Sequence, residues 1–432
     1  MMGGAAKLTR AARICHSLPL LRPRPPPPPL PAPPFRFFSE TNNSKNCCVV
    51  NPVAQQMIDY ALSLSRSQKS DDSYSQSLLV LEQCHSTQSD DNSKGMVLLA
   101  MSTLFYERGN FAEAIEKLQS IQDLSLSSIA IRVTAVEALV GIHLELDEDD
   151  TSSVLTNICC NLLDTIKLEI GGGSGFEVLE ARAKVLKGLL ELVQGNLQSE
   201  SCFLDDLLIV QGDEACTGNV ALSYGEYLHG MRKLPIAKEL YQKVIQQLSE
   251  KDFNNLRDLG ACNMAKDEVL LAATCALGQL EALLGNFGDA EEVLTTALKK
   301  AEEHFGSNHQ KVGVILTCIA LMFRLKATVE HSSSLLIQEG LYRKAIELLR
   351  APPLDGEGAE GKVYRREIVA LARGGYAETL CVQQNRKAEG EKMRHWAETA
   401  WRNRRLSLAE ALDFSENSAK VPVIDARICR SV

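Results

Sequence analysis

The stretch "ALGQLEALLGNFGDAEEVLTTAL", residues Ala276–Leu298, decides the fold. Apolar residues recur every three or four positions on both sides of Gly285–Asn286, which is the spacing of amphipathic helices. Glycine can adopt the left-handed conformation that ends a helix, and an asparagine side chain can accept a backbone N–H at the start of the next helix. The stretch therefore predicts two antiparallel helices joined by a tight turn.

Small residues stand where these two predicted helices would cross. Gly278 precedes the turn glycine by seven positions, and Ala290 follows it by five. Packed helices lie about 8–10 Å apart, and the closest approaches need small side chains. We therefore expect Gly278 and Ala290 at the contact between the helices, with leucines such as Leu294 filling the remaining space.

The same pattern recurs along the chain, which indicates an internal repeat. Turns are predicted near positions 72, 109, 149, 195, 232, 285, 340 and 385, at spacings of 37 to 55 residues. Region 129–166 can hide a further copy. The residues expected at turns or helix contacts are Ser102, Gly109, Ala114, Gly188, Gly195, Gly225, Ala237, Gly278, Gly285, Ala290, Gly340 and Ala345.

The ladder Leu277, Gly278, Gly285, Phe287, Ala290, Leu294 and Ala297 resembles the tetratricopeptide repeat. Its members are 34-residue helix pairs. The longer spacings and the linker "EEHFGSNHQ" resemble the extended repeats of kinesin light chains and related proteins. The resemblance covers roughly residues 55–410. It implies an all-α, right-handed superhelical solenoid of about seven or eight antiparallel helix pairs. A non-repetitive helical bundle is the alternative.

The resemblance also implies a groove lined by the first helix of each pair. The candidate protein-binding residues are Thr103, Tyr106, Leu189, Glu226, His229, Gln279 and Leu283. Copies that bind the acidic tails of large chaperones carry a Lys/Asn clamp on these helices. The matching positions here hold residues such as Leu99 and Thr103, so we expect no binding of chaperone tails.

Residues 1–38 have the composition of an organelle targeting presequence. They contain six cations and no acidic residue, and ten of the 15 prolines lie between Pro19 and Pro34. Arg36, Phe38 and Ser39 resemble the plant mitochondrial cleavage pattern, with the cut before Ser39. We expect the mitochondrial matrix, with a chloroplast transit peptide or a proline-rich binding tail as alternatives. Residues 39–54 are predicted to be a linker.

The balance of charge bears on the class of partner. The formal charge is −9, and removal of the six cations in residues 1–38 would make it −15. A net acidic body argues against nucleic acid, because binding to phosphates needs a basic face. No window of 18 uncharged apolar residues is evident, so we expect no membrane span. The expected partner is another protein.

The last basic segment, "RKAEGEKMRHWAETAWRNRRLSLAEAL", holds both tryptophans. We predict one helix that covers the last repeat. Its alternative role is a docking patch for an acidic partner or RNA. The candidate patch consists of Arg394, Trp396, Trp401, Arg402, Arg404 and Arg405. Residues 411–432 are predicted to be a tail, frayed from residue 414 onward.

Known catalytic motifs are missing from the sequence. The run "GGGSG" at 171–175 lacks the following Lys-Ser or Lys-Thr of a phosphate loop, and the histidines lack metal-site spacing. The 13 cysteines are scattered, and we expect buried reduced thiols. We therefore expect no catalytic residues, metal or cofactor. The predicted function is a non-catalytic scaffold or adaptor. The alternatives are an organellar RNA-metabolism factor and an enzyme with its site in residues 129–180.

Overall fold

A computed structural model describes residues 50–170, 176–196, 218–249, 259–354, 363–413 and 421–432. The predicted presequence, Arg36, Phe38 and Ser39, and the glycine run 171–175 lie outside the described residues. The described part is all-α except for one short β-hairpin. Its helices are α1 Pro52–Gln68, α2 Asp71–Thr87, α3 Asp91–Glu107, α4 Phe111–Gln122, α5 Ile129–Glu145, α6 Asp149–Ile170, α7 Phe176–Val193, α8 Gly218–Gly230, α9 Leu234–Ser249, α10 Lys266–Leu283, α11 Phe287–Phe305, α12 Gln310–Val329, α13 Leu335–Leu348, α14 Arg366–Cys381, α15 Lys387–Ala400 and α16 Leu408–Leu412.

Sequential helices pack in adjacent pairs, in agreement with the predicted array. The most extensive contacts join α1 to α2, α3 to α4, α5 to α6, α8 to α9, α10 to α11, α12 to α13 and α14 to α15. Neighbouring pairs contact each other along the chain, and α7 makes the connection between α5–α6 and α8–α9. Region 129–166, which can hide a further copy of the repeat, forms the helix pair α5–α6. The array is therefore an all-helical stack of pairs, as a helical repeat requires.

The three Gly-Asn turns follow α3, α7 and α10, and the helix predicted after Gly195 lies outside the described residues. Gly109, Gly195 and Gly285 have φ angles of 78°, 79° and 78°. In the opening stretch, the N–H of Asn286 donates to the carbonyl of Glu281 at 2.9 Å, and the N–H of Gly285 donates to that of Ala282 at 3.1 Å. These two bonds satisfy the last carbonyl groups of α10.

The predicted capping role of the asparagines is wrong for two of these turns. Neither Asn110 nor Asn286 makes a side-chain cap hydrogen bond. The side chain of Asn286 points back and donates from Nδ2 to Glu281 Oε2 at 2.8 Å. The carboxylate on the preceding helix competes for the asparagine, so this residue completes the helix end behind it rather than starting the helix ahead.

Gly278 lies at a close approach between paired helices. A Cβ atom placed on Gly278 would lie 2.6 Å from Leu294 Cγ, and one on Gly225 would lie 2.7 Å from Tyr241 Cε1. The glycine therefore faces a large side chain of the second helix, rather than the small Ala290. The remaining small contact residues Ser102, Ala114, Gly188, Ala237, Ala290 and Ala345 are buried.

The turn predicted near residue 340 is wrong. Helix α13 runs through Gly340, which is exposed, and a Cβ atom placed on this glycine would meet no other atom within 4 Å. The turn of this pair lies at residues 330–334, where His331 takes the left-handed conformation with a φ of 49°. A search for glycine missed this turn because its left-handed residue is not glycine.

From α3 onward, first helices are buried on most of their surface, whereas second helices are buried along one stripe. Helix α5 is buried at nearly every position from Ile131 to Glu145. Helix α11 is buried at Phe287, Ala290, Leu294, Ala297 and Ala301, a spacing of three or four residues. First helices are therefore covered from a further side, by segments that the repeat pattern does not include.

Helix α12 qualifies as a possible membrane span by length and composition alone. An 18-residue stretch of this helix has a mean hydropathy of 1.9, and 61% of that stretch is buried inside the protein. It lies between neighbouring pairs, with Val314, Ile315 and Leu325 in the apolar core. A buried core helix has the same composition, so this property is weak evidence for a membrane.

The last two expectations for the chain end need correction. The predicted single basic helix stops at Ala400, and the separate α16 follows. Residues 421–432, predicted to fray, form a buried antiparallel hairpin of β1 Ile424–Asp425 and β2 Arg430–Ser431. Ile424 pairs with Ser431, and Asp425 pairs with Arg430. Burial of Val423, Ile424 and Ile428 favours the ordered state over fraying.

Candidate functional site

The candidate site is the surface formed by the first helices of successive pairs, which we call the first-helix face. It is built from α3, α5, α8, α10, α12 and α14. Two other parts of the chain cover it. One is the inserted loop, residues 259–265, and the other is the hairpin segment, residues 421–432. Both are buried against side chains of the first helices.

Side chains hold the main chain of the hairpin segment. Gln279 on α10 binds Ile424 twice: its Oε1 accepts from the backbone N–H at 2.9 Å, and its Nε2 donates to the carbonyl at 3.0 Å. Lys311 on α12 donates from Nζ to the carbonyls of Ala426 and Arg427, each at 2.7 Å. These contacts do not depend on the side chains of the segment, as in the recognition of an extended peptide.

The two chain ends of the hairpin are held in the same way. Asn403 Nδ2 donates to the Ser431 carbonyl at 2.6 Å. Arg405 Nη2 donates to the carbonyl of Val432 at 2.7 Å and also to that of Val421. Residues between α15 and α16 thus supply further hydrogen-bond donors to the backbone of the segment.

Arg427 occupies a pocket lined by polar side chains of α8. Its guanidinium donates to Glu226 at 2.7 Å, to Ser223 at 3.0 Å and to Asn219 at 3.0 Å. Asp425 of the same hairpin accepts at 2.9 Å. Arg427 is only 1% exposed. Burial, together with repulsion from Asp425, raises the pKa of Glu226 well above its usual value.

Arg430 occupies a second acidic pocket, formed by α14 and the start of α6. It donates to Glu367 at 2.9 Å and to Asp149 at 2.5 Å. Glu367 also accepts the backbone N–H of Ser431 at 3.0 Å. The hairpin segment therefore brings two arginines, three residues apart, to two buried groups of carboxylates.

A buried charged network lies next to the hairpin. Lys311 pairs with Glu268 at 3.2 Å. Glu145 pairs with Arg365 at 2.5 Å and accepts from the Tyr106 hydroxyl at 2.7 Å. Burial raises the pKa of Glu268 to about 7, against the opposing attraction of Lys311. Although burial opposes it, the cations Arg365 and Lys311 lower the pKa of Glu145.

The inserted loop seals the other part of the first-helix face. The Cys262 N–H donates to Thr103 Oγ1 at 3.0 Å, and Asn219 Nδ2 donates to the Met264 carbonyl at 3.1 Å. Arg182 Nη2 donates to the Leu259 carbonyl at 2.8 Å and forms an ion pair with Glu137. Glu137, which lies within the region 129–180 of the alternative enzyme site, thus forms a buried ion pair with the arginine that holds this loop.

The structure brings together most of the predicted groove residues, but their surroundings are filled. Thr103 contacts the inserted loop, Tyr106 the adjoining network, and Glu226 and Gln279 the hairpin segment. Leu283 lines a small apolar pocket that includes Pro422 and Ile424. Leu189 is buried in the core.

His229 faces its partner helix α9. The ring nitrogen Nδ1 lies 3.3 Å from the Tyr241 hydroxyl. Burial lowers the pKa of His229 to about 3, so the imidazole is neutral at ordinary pH. Its contact with Tyr241 therefore joins the two helices of one pair, α8 and α9.

The predicted basic docking patch is divided between the interior and the surface. Arg405 and Trp396 are buried, and the guanidinium of Arg373 lies 4.0 Å from the Trp396 ring centroid. Trp401 donates from Nε1 to the Leu406 carbonyl at 2.6 Å. Arg402 and Arg404 are exposed, and Arg394 pairs with Glu391. The helix break at Ala400 turns Arg405 inward, so the six residues do not share one surface.

Sequence reasoning missed the residues that make most of the contacts with the hairpin segment. They are Lys311, Glu367 and Asn403 in the helical part of the chain, together with Arg427 and Arg430 in the segment itself. One signal is present: "VPVIDARICRSV" sets Asp425, Arg427, Arg430 and Ser431 among eight apolar residues. A fully exposed tail has no need of those apolar residues.

Metal and thiol chemistry finds little support in the described part of the chain. No group of three or more His, Cys, Asp or Glu residues there could hold a metal ion. Burial raises the pKa of the Cys159, Cys262 and Cys429 thiols to about 12, which leaves them protonated.

The chain matches no protein-family model and no curated protein sequence.

Proposed function

We propose that the protein is a non-catalytic helical-repeat scaffold or adaptor that binds other proteins through its first-helix face. In this proposal the stack of pairs is a right-handed solenoid of the tetratricopeptide type, as found in plant organellar proteins. The observation that supports it is the way in which side chains of the helical part bind the backbone of the hairpin segment. Gln279, Lys311, Asn403 and Arg405 bind the main chain of a 12-residue segment through side-chain donors and acceptors.

The proposed place of action is an organelle. The acid-free cationic composition of residues 1–38 supports the mitochondrial matrix, with the chloroplast as the alternative. There the protein would act as an assembly or adaptor factor. RNA binding is less well supported, because Arg405 and Trp396 of the predicted basic patch are buried.

Proximity labelling from the tagged protein inside the organelle tests the proposal. Two variants are compared with the wild type: Gln279→Ala on the first-helix face, and Gln119→Ala on the exposed side of α4 as its matched control. We expect the yield of labelled proteins to change severalfold in Gln279→Ala alone. Sequencing of the mature protein should give a start at Ser39.

Two results would contradict the adaptor function. One is a set of labelled proteins that is identical in both variants. The other is a set that nuclease treatment or the double change Arg402→Glu/Arg404→Glu removes, which would favour an RNA-bound complex. That double change leaves the buried Arg405 intact, so a loss of folding does not mimic a loss of binding.

A further inference from the structure

We infer that the first-helix face is a binding site for a basic protein segment with two arginines three residues apart in a tight turn, and that residues 421–432 are its intramolecular occupant. This inference deepens the proposed function and rests on it. A partner with the same pattern would displace the hairpin segment.

The hairpin segment depends on the face for its structure. It has only two paired residues in each strand, and isolated hairpins of this kind are marginally stable in water. Its carbonyl groups at Ile424, Ala426 and Arg427 are bound by Gln279 and Lys311. The segment is thus held like a ligand, with donors and acceptors already in place on the helices.

The charges of the face define the partner. Buried carboxylates on first helices, Glu226 and Glu367, have their cations supplied by the hairpin segment. Without an occupant, Glu226 and Glu367 would lose the arginines that pair with them and would add negative charge to this face. Such a surface attracts a basic segment and repels an acidic one.

Arginine fits these pockets better than lysine. Arg427 reaches Asn219 through Nη1, and Ser223 and Glu226 through Nη2. A planar guanidinium presents several donors in a fixed fork, whereas the lysine ammonium is a single point of charge. We therefore expect the partner to carry an Arg-x-x-Arg pattern, as "ARICR" does at residues 426–430.

The covalent link to the rest of the chain gives the occupant an advantage. Residues 414–420 connect the last helix to the hairpin segment, and a short linker gives an effective concentration on the order of millimolar. A free peptide must compete with that concentration. The test therefore has to cut the link while leaving all other residues in place.

The experiment uses the full chain with residues 414–420 replaced by a seven-residue recognition sequence for a specific protease. A fluorescent, terminally blocked peptide of residues 421–432 is the probe, and its anisotropy reports binding. We expect weak binding before cleavage and saturable binding after it. Peptides with Arg427→Ala or Arg430→Ala should bind roughly 100-fold more weakly, because each leaves a buried carboxylate without its cation. The Arg427→Lys peptide should bind more tightly than the Arg427→Ala peptide and more weakly than the original peptide.

Circular dichroism accompanies each step. Retained helix content during exchange of the peptide supports the inference. Loss of helix content when the hairpin segment leaves would overturn it, since the segment would then be part of the core. A cleaved segment that never exchanges, or an alanine peptide that binds like the original, would overturn it as well. Displacement by an RNA oligonucleotide but not by an Arg-x-x-Arg peptide would overturn the class of partner. These readings do not depend on proximity labelling, so the adaptor function can fail separately.

Discussion

Arg427 and Glu226 are 201 positions apart in the sequence, yet Arg427 Nη2 lies 2.7 Å from Glu226 Oε2. Both side chains are almost fully buried, at 1% residue exposure each. This ion pair fixes the hairpin segment to α8 in the middle of the stack. Coulombic attraction is strong at such a site, but the cost of removing both charges from water is also large.

The first prediction concerns the loss of this cation. Arg427→Met should destabilise the protein by about 3–5 kcal/mol if the hairpin segment is a permanent part of the core, because Glu226 and Asp425 stay buried without a cation. If the segment can leave, the loss is limited to the free energy of its docking, and helix content stays unchanged. Urea unfolding followed by circular dichroism separates the two outcomes.

Arg402→Met is the matched control for this change. Arg402 is exposed, so its replacement should alter the free energy of unfolding by less than about 0.5 kcal/mol. An Arg427→Met protein as stable as the control, with its hairpin segment still protected from proteolysis, would refute the importance of the ion pair.

The second prediction concerns two glycines to which the repeat pattern gives different roles, Gly278 at a helix contact and Gly340 at a turn. Gly278→Ala should destabilise the protein by about 1–3 kcal/mol, because the new Cβ would meet Leu294 at 2.6 Å. Gly340→Ala should stabilise it by about 0.4–1 kcal/mol, because the position is an exposed helix interior with open space around it. Thermal unfolding of both variants gives the comparison. Equal effects would show that Gly278 is not a packing contact.

The third prediction concerns the turn of the opening stretch. Gly285→Ala should cost about 1–2 kcal/mol, since Gly285 has a φ of 78° and a Cβ atom is strained there. Asn286→Ala should cost less, because Asn286 makes no side-chain cap and its backbone bond to Glu281 is kept. Chemical denaturation measures both. A larger loss for Asn286→Ala would restore the capping role predicted from the sequence.

How far the sequence predicts the structure depends on the range of the interactions involved. The Gly285 turn and the close approach of Gly278 depend on residues within one helix pair, and local spacing predicts both. The contacts of Arg427 with α8 and of Arg430 with α14 join distant parts of the chain. Helical periodicity contains no information on which segment covers the first-helix face. The resemblance places Gln279 and Glu226 on that face, whereas the sequence predicts a frayed tail for the segment that covers them.

The fourth prediction concerns the pH dependence of stability. Glu268 is buried beside Lys311, has Glu145 and His304 as further titratable neighbours, and has a pKa that burial raises to about 7. Since this pKa lies above the value of about 4.5 for an exposed glutamate, the folded state binds the proton more tightly. The resulting stabilisation is complete below about pH 4.5 and is lost as the pH rises through 7.

Glu268→Gln isolates this contribution from the other titrating groups. His229 and His309, whose pKa values burial lowers to about 3, act in the opposite direction below pH 6.5 and are present in both proteins. At pH 8, Glu268→Gln should be more stable than the wild type by up to about 3 kcal/mol, and the difference should shrink towards zero by pH 5. Urea unfolding at four pH values between 5 and 8 measures it, with the exposed Glu292→Gln as control. A difference that does not change with pH would mean that Glu268 stays ionised, held by Lys311, throughout this range.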